Sequence, residues 1–262
     1  MMTHEKLLET LIEVDRIDAR LGEADHVIAM SQVLKEACVR VGVRPESIAV
    51  LGNRVSTSRF RAVPQANYDP RIIRALFVGR LQRQKNVHGV AGALASLKAE
   101  GWRVDFHICG GLGMNRYLEE ALSVLDPADW RYWGPVCNRE LPARYQSVDM
   151  YAGPSFFEGF QIPLIEALAC GKPCVASNQP PATEIIGPGT GELVDPEDPE
   201  DIARGIRRLK ERLNDPQTRE AVAEACRRQA VERWSYRTVS AREVDVYLEV
   251  LAAFRAKEAR KP

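Results

Sequence analysis

Glu158-Gly159-Phe160-Gln161-Ile162-Pro163-Leu164-Ile165-Glu166 is the stretch on which the fold turns. The apolar, small-residue run Met150-Tyr151-Ala152-Gly153-Pro154-Ser155 precedes it. The run Leu164-Ile165-Glu166-Ala167-Leu168-Ala169-Cys170 follows and stops at Gly171. The order is strand, loop with a carboxylate at its tip, helix. Pro163 fits the first helical turn, where its missing N–H costs nothing. Gly171 fits the position just past the helix, and Pro173 blocks any continuation. Glu158 therefore lies in the loop ahead of the helix and Glu166 about one turn inside it. Both are placed to face whatever stands before the helix N-terminus.

Such an N-terminus offers free N–H groups and a positive dipole end, which suit a phosphate. An ionised carboxylate beside it suits a sugar diol, because it accepts two hydroxyl hydrogen bonds, each contributing about 1.5–3 kcal/mol. Two acids around a phosphate seat describe a nucleotide-sugar site. The same residues also fit an acidic first turn on a surface helix, which the dipole favours by itself.

Outward from this stretch, apolar runs and helical patterns alternate from residue 75 to residue 213. Strands are expected at Ala75–Val78, Val104–Cys109, Trp130–Trp133, Val148–Ala152, Cys174–Ser177 and Glu192–Val194. Helices are expected over 87–100, 114–124, 140–146, 163–170 and from the Asp198 cap to Leu213. This alternation predicts a parallel sheet with helices on both faces, a doubly wound, Rossmann-like α/β domain. Gly79-Arg80, Gly110-Gly111, Gly134-Pro135 and Ser155 to Glu158 each follow a strand. They are expected to converge on one rim, where ligands of such sheets bind.

Upstream, residues 4–22 read as an amphipathic helix and His26–Met30 as a short buried strand. Ser31 caps a helix to about Val41, Ser47–Leu51 forms another strand, and 53–70 is a linker with Pro64, Asn67 and Pro70. Downstream, 217–257 reads as two helices with a break near Trp234-Ser235, and the charged tail Arg255–Pro262 as a solvated end.

The 262 residues carry a formal net charge of +0, which argues against a dominant nucleic-acid role, since that needs a concentrated basic face. No run reaches the length of a membrane-spanning helix, and Met1–Lys6 lacks a signal peptide's apolar core. The six cysteines show no CxxC spacing and read as buried thiols of a reducing compartment. The four histidines show no metal-ligand spacing either, so no metal is expected.

At this point the residues resemble a known family. Phe77-Val78-Gly79-Arg80-Leu81 with Lys85 resembles the "VGR…K" phosphate loop of glycosyltransferase family 4, the retaining enzymes of the two-domain glycosyltransferase-B fold. Ile108-Cys109-Gly110-Gly111-Leu112-Gly113 is similar to its "I-V-G-x-G" turn. Pro154 to Phe160 resembles "P-S-x-x-E-G-F", and Glu158 with Glu166 its E-x7-E motif. Ala169 to Ser177 resembles "A-x-G-x-P-V-V-A-S", and Ala24 to Ile28 with Ser31 the end of the family's first domain.

The resemblance implies roles. Arg80 and Lys85 would hold the donor diphosphate and stabilise the charge that grows on it. Glu158 would contact the transferred sugar and Glu166 the ribose. Gly79, Gly110, Gly111 and Gly159 would bring backbone close to the donor, and N–H groups of Phe160, Gln161 and Ile162 would meet the sugar or phosphate. Val136 would edge the base. His107 reads as a packing residue; Trp133 and Tyr132 offer rings that stack on a base, but core packing is the expectation for both. Gln161 and Asn86 stand where the family usually has glycine, and Asn53-Arg54-Val55-Ser56 replaces Asn-Gly-Val-Asp at the hinge.

The implied organisation is a remnant of an acceptor domain and hinge over 1–60, a donor-binding domain over 61–225, and C-terminal helices over 226–262 packing back on the remnant. The implied function is a cytoplasmic retaining glycosyltransferase. It would use a UDP-, GDP- or ADP-sugar as donor and no further cofactor, alone, as a homo-oligomer or with a separate acceptor-domain polypeptide. The alternative is a nucleotide-sugar-binding module that needs a partner chain for activity.

Overall fold

The computed structural model describes residues 19–64, 68–112 and 117–259. Most of the helix expected over 4–22 lies outside them, and Ala19–Glu23 is a 3-10 turn. Two sheets follow. The small one pairs β1 (Val27–Ala29) with β2 (Ile48–Val50) in parallel, linked by α1 (Gln32–Arg40). Ser31 caps α1, its side chain accepting from the Leu34 N–H as its pattern predicts. The expectation that 26–30 is buried fails at Ile28 (37% exposed) and Met30 (43%); among the described residues this sheet has two strands to cover them.

The large sheet contains β3 (Ile72–Val78), β4 (Arg103–Cys109), β5 (Trp130–Tyr132), β6 (Met150–Ala152), β7 (Cys174–Ser177) and β8 (Gly191–Val194). The order is β5-β4-β3-β6-β7-β8, and every pairing is parallel. Ile73, Ala75, Leu76, Phe106, Ile108, Met150, Ala152, Val175 and Ala176 are fully buried, as strands covered on both faces require. The helices are α2 (Val87–Ala99), α3 (Tyr117–Leu122), α4 (Leu141–Gln146), α5 (Ile162–Ala169), α6 (Ala182–Ile185), α7 (Pro199–Asn214), α8 (Pro216–Trp234) and α9 (Tyr236–Glu258). α2 packs on α3 and α7, while α5 packs on α4, α6 and α8.

Successive connections leave β3 in one direction across the sheet and β6 in the other. Between these neighbours the topology reverses and opens a crevice beyond the strands' carboxyl ends. Two strand starts differ from the sequence pattern by more than a single residue. β3 begins at Ile72, ahead of the apolar run, because its first residues pair with Arg103 and Val104 of β4. β6 begins at Met150, because the Val148 N–H turns back to the Tyr145 carbonyl of α4 at 3.4 Å instead of joining the sheet. The Asp198 cap, the stop at Gly171 (φ 70°) and the break capped by Ser235 all stand where the pattern puts them.

The break returns the chain to the small sheet's side. The Val55 N–H donates to the Trp234 carbonyl at 2.8 Å, the Arg54 guanidinium to Glu243 at 2.6 Å, and Arg242 to the Val50 carbonyl at 3.1 Å. A buried ion pair closes the other end of the large sheet: Lys210 of α7 reaches Asp149 at 2.7 Å with neither side chain exposed. Removing one partner of such a pair leaves an uncompensated buried charge. Lys210→Ala is expected to lower stability by about 3–5 kcal/mol in denaturant unfolding. The double replacement Lys210→Met with Asp149→Leu should recover most of that loss.

Candidate active site

The crevice is built by loops that continue the sheet beyond its edge. The Gly79 N–H donates to the Cys109 carbonyl at 2.9 Å, Gly110 to Gly134 at 2.8 Å and Leu81 to Gly111 at 3.0 Å. The backbones after β3 and β4 approach so closely that a β-carbon on Gly110 (φ 152°) would lie 1.8 Å from the Gly79 carbonyl oxygen. No other residue type fits there.

From this base the Arg80–Asn86 loop crosses to the Glu158 loop. The Phe156 N–H donates to the Gln84 carbonyl at 2.9 Å, and the Gln84 side-chain amide to the Phe157 carbonyl at 2.8 Å. Asn86 is 1% exposed and left-handed (φ 58°), a conformation that asparagine tolerates and glycine prefers. It caps α2 through the Gly89 N–H and donates to the Pro154 and Pro196 carbonyls at 3.1 and 2.7 Å. Asparagine therefore does here what a glycine would do, and adds three anchors.

Lys85 and Glu158 form a hydrogen-bonded ion pair, with 18% and 12% of their side chains exposed. Arg80 stands exposed beside them. Gly79, Arg80, Lys85, Glu158, Phe160, Gln161 and Ile162 line one cavity of about 210 Å3, together with Tyr151 and Ser155. Gly110, Gly111 and Val136 lie off its wall, in the loops after β4 and β5. Gly159 faces α1 instead: Ser31 Oγ donates to its carbonyl at 2.6 Å, and Leu34 lies where a side chain would go.

Gln161 neither crowds the cavity nor reaches across it. It is 3% exposed, and its amide donates to the Gly153 carbonyl at 2.7 Å, bracing the Glu158 loop from below. Glu166 lies behind the wall of this cavity rather than on it. It is 8% exposed and accepts a 2.8 Å hydrogen bond from Tyr145 of α4, a residue that the sequence pattern does not single out. Burial pushes its carboxyl up to about 7, against a smaller opposing pull from the Tyr145 hydroxyl. His107 is packed in β4 beside Asp105 at 3.1 Å. Trp133 is not in the core: it is 37% exposed, with the Arg144 guanidinium 3.6 Å over its ring. A larger cavity, about 510 Å3, opens at the opposite ends of β6 and β7, against α8, and holds none of the expected site residues. Among the described residues, no three His, Cys, Asp or Glu are grouped to hold a metal, and no helix is long and apolar enough to cross a membrane.

The family model for glycosyl transferases group 1 matches residues 58–229. The chain belongs to this family. The match takes in the whole crevice, from the Arg80 loop to Glu166. Among relatives of this group 1 chain, the D-inositol 3-phosphate glycosyltransferase of Salinispora arenicola is 35% identical over 191 residues, covering 68% of this chain and 41% of that one. The MMP alpha-(1->4)-mannosyltransferase of Mycolicibacterium hassiacum is 31% identical over 175 residues, covering 66% and 42%. The chain spans about half the length of the curated relatives it matches. Among solved structures, the Anabaena HepE complex with UDP and glucose superposes with a TM-score of 0.72 at 21% identity, covering 94% of this chain and 67% of that one. A glycosyltransferase from Rickettsia africae gives 0.75 at 18%, covering 92% and 67%. These likenesses place the large sheet in the glycosyltransferase-B fold.

A carboxyl whose pKa rises on folding stabilises the fold only while protonated. Its contribution is full below the ordinary carboxylate range and is lost as pH rises through about 7. Glu166→Gln removes that ionisation. It is expected to raise unfolding free energy by about 1–3 kcal/mol at pH 8 and to change it far less near pH 4, as chemical denaturation at the two pH values will read.

Proposed function

We propose that this chain is the donor-binding half of a retaining glycosyltransferase of family 4, taking a sugar from a nucleotide diphosphate. The observation that carries the reading is the Lys85–Glu158 pair in the crevice at the reversal of the sheet. An ammonium has three donors and no acceptor. Lys85 gives one to Glu158 and keeps two for diphosphate oxygens. Arg80 adds a planar fork suited to phosphate. Together they offset the negative charge that accumulates on the diphosphate as the glycosidic bond breaks, a contribution of several kcal/mol in a fixed polar site. The departing diphosphate then accepts the proton of the acceptor hydroxyl, which attacks from the same face and so retains configuration. Glu158, fixed by Lys85, presents its other oxygen to hydroxyls of the transferred sugar. Glu166 takes the ribose. The positive charge comes from side chains, so no further cofactor enters this reading.

In this reading residues 61–225 hold the donor, 1–60 are the remnant of the acceptor-receiving lobe with its hinge, and the C-terminal helices of 226–262 pack back on that remnant. That lobe is completed by further chain, covalently joined or separate; without it the module binds donor and transfers nothing. UDP is the first nucleotide to try, since the HepE complex holds UDP; GDP and ADP follow.

The test is calorimetric titration of the chain with UDP, GDP and ADP and their sugars. One nucleotide is expected to bind. Lys85→Ala should weaken it at least about tenfold, the loss of one charge-assisted hydrogen bond, and Glu166→Ala should weaken it comparably. Binding unchanged in both variants overturns the assignment.

A further inference from the structure

Tyr145 has none of its side chain exposed. Phe60 of the linker meets its ring edge-on at 5.9 Å, and Tyr151 of β6 lies at 6.4 Å on another side. The ring is clamped, and its hydroxyl has one fixed direction, toward Glu166 Oε2 at 2.8 Å. Glu166 reaches out from α5 on a side chain with three rotatable bonds. A ligand-binding carboxylate on so flexible a stem needs a partner that holds it in place.

We propose that Tyr145 is the positioning residue for Glu166, occupying Oε2 and so turning Oε1 toward the ribose hydroxyls of the donor. This rests on the donor-site reading above. It makes donor affinity depend on a buried tyrosine that touches no ligand. A hydroxyl donating to a carboxylate favours the ionised form, which accepts from a diol; the protonated acid accepts less well.

The titratable groups that face Glu166 are Tyr145, Tyr151 and Cys170. Burial raises the first two well above the ordinary tyrosine range and pushes the Cys170 thiol up to about 12. All three stay neutral near pH 7. Two cations lie near the C-terminal end of α5: Arg227 of α8 donates to the carbonyls of Thr57, Phe60 and Ala169, and the buried Lys172, whose ammonium burial lowers to about 8, acts on Cys170. Glu166 changes charge near 7 and Lys172 near 8; only Glu166 is bonded to the Tyr145 hydroxyl, so a difference between the two proteins reports on Glu166.

The test compares the chain with Tyr145→Phe, which keeps the packed ring and removes only the hydroxyl. First, the Glu166 side-chain carboxyl is titrated by carbon NMR, with no ligand present. The midpoint is expected to move up by about one pH unit, a tenfold change in proton affinity. Second, UDP, GDP and ADP are titrated into both proteins between pH 6 and pH 9. The loss of affinity in the variant at pH 7 should exceed its loss at pH 9 by about fivefold, because alkali restores the carboxylate. A residue that only fills space would leave the NMR midpoint where it was, and that result overturns the proposal. A shifted midpoint with the same pH profile of nucleotide affinity in both proteins also overturns it. If no nucleotide binds the unaltered chain at any pH, the donor-site reading itself falls, whatever the NMR midpoint does.

Discussion

Everything at the front of this molecule depends on one close approach of backbone to backbone. Gly110 has no space for a β-carbon because the Gly79 carbonyl lies where it would go. The loops after β3 and β4 therefore run side by side, joined by the hydrogen bonds of Gly79, Leu81 and Gly110. The sheet in effect extends past its last strand residue. A loop that would otherwise be free to move becomes a platform, and the Arg80 to Asn86 segment leaves it at a fixed angle. Lys85 meets Glu158 because both loops are tied before either side chain is considered.

The site is assembled at a cost to stability. Lys85 and Glu158 are largely removed from water, and each gives up hydration that the pair only partly restores. Glu166 is more extreme: burial lifts its carboxyl to about 7, so its ionisation near neutral pH works against its surroundings. An apolar side chain of similar size would pack there without that cost. A buried acid held by one tyrosine hydroxyl is hard to justify by stability and simple to justify by ligand binding. Lys210 and Asp149 at the opposite edge answer a different need, joining α7 to the start of β6 where the cavity residues do not reach.

Much of this was legible in the sequence, for local reasons. Ser31, Asp198 and Ser235 cap helices because a short oxygen-bearing side chain ahead of an apolar pattern has few other uses. Gly171 ends α5 in the left-handed region for the same kind of reason. Arg80, Lys85 and Glu158 meet because strand-ending loops of a parallel sheet share one rim. The failures are all matters of what lies opposite. Tyr145 sits in a short helix where a buried aromatic reads as core, and its partner is on another helix. Gln161 turns inward only because the Gly153 carbonyl waits beneath it. Trp133 leaves the core because Arg144 covers it from α4. Ile28 and Met30 alternate like a buried strand, yet the sheet they join has two strands among the described residues.

The Glu158 loop is held from three directions, and this bears on how such a site acts. Gln84 and Asn86 hold it from the side of the Arg80–Asn86 loop, Gln161 from beneath, and Ser31 from the small sheet through the Gly159 carbonyl. The fourth side, facing the cavity, is left for a ligand. A carboxylate fixed in this way need not reorganise when charge shifts in front of it, which is where a polar site gains over water. The Ser31 contact adds a second consequence. It joins the one loop that carries Glu158 to a unit outside the large sheet, and Gln32 extends the junction by donating its N–H to the Glu184 carboxylate at 3.1 Å. Any movement of the small sheet relative to the large one must first break these bonds. The geometry of Glu158 is therefore coupled to the placement of β1, α1 and β2 through the Ser31–Gly159 bond.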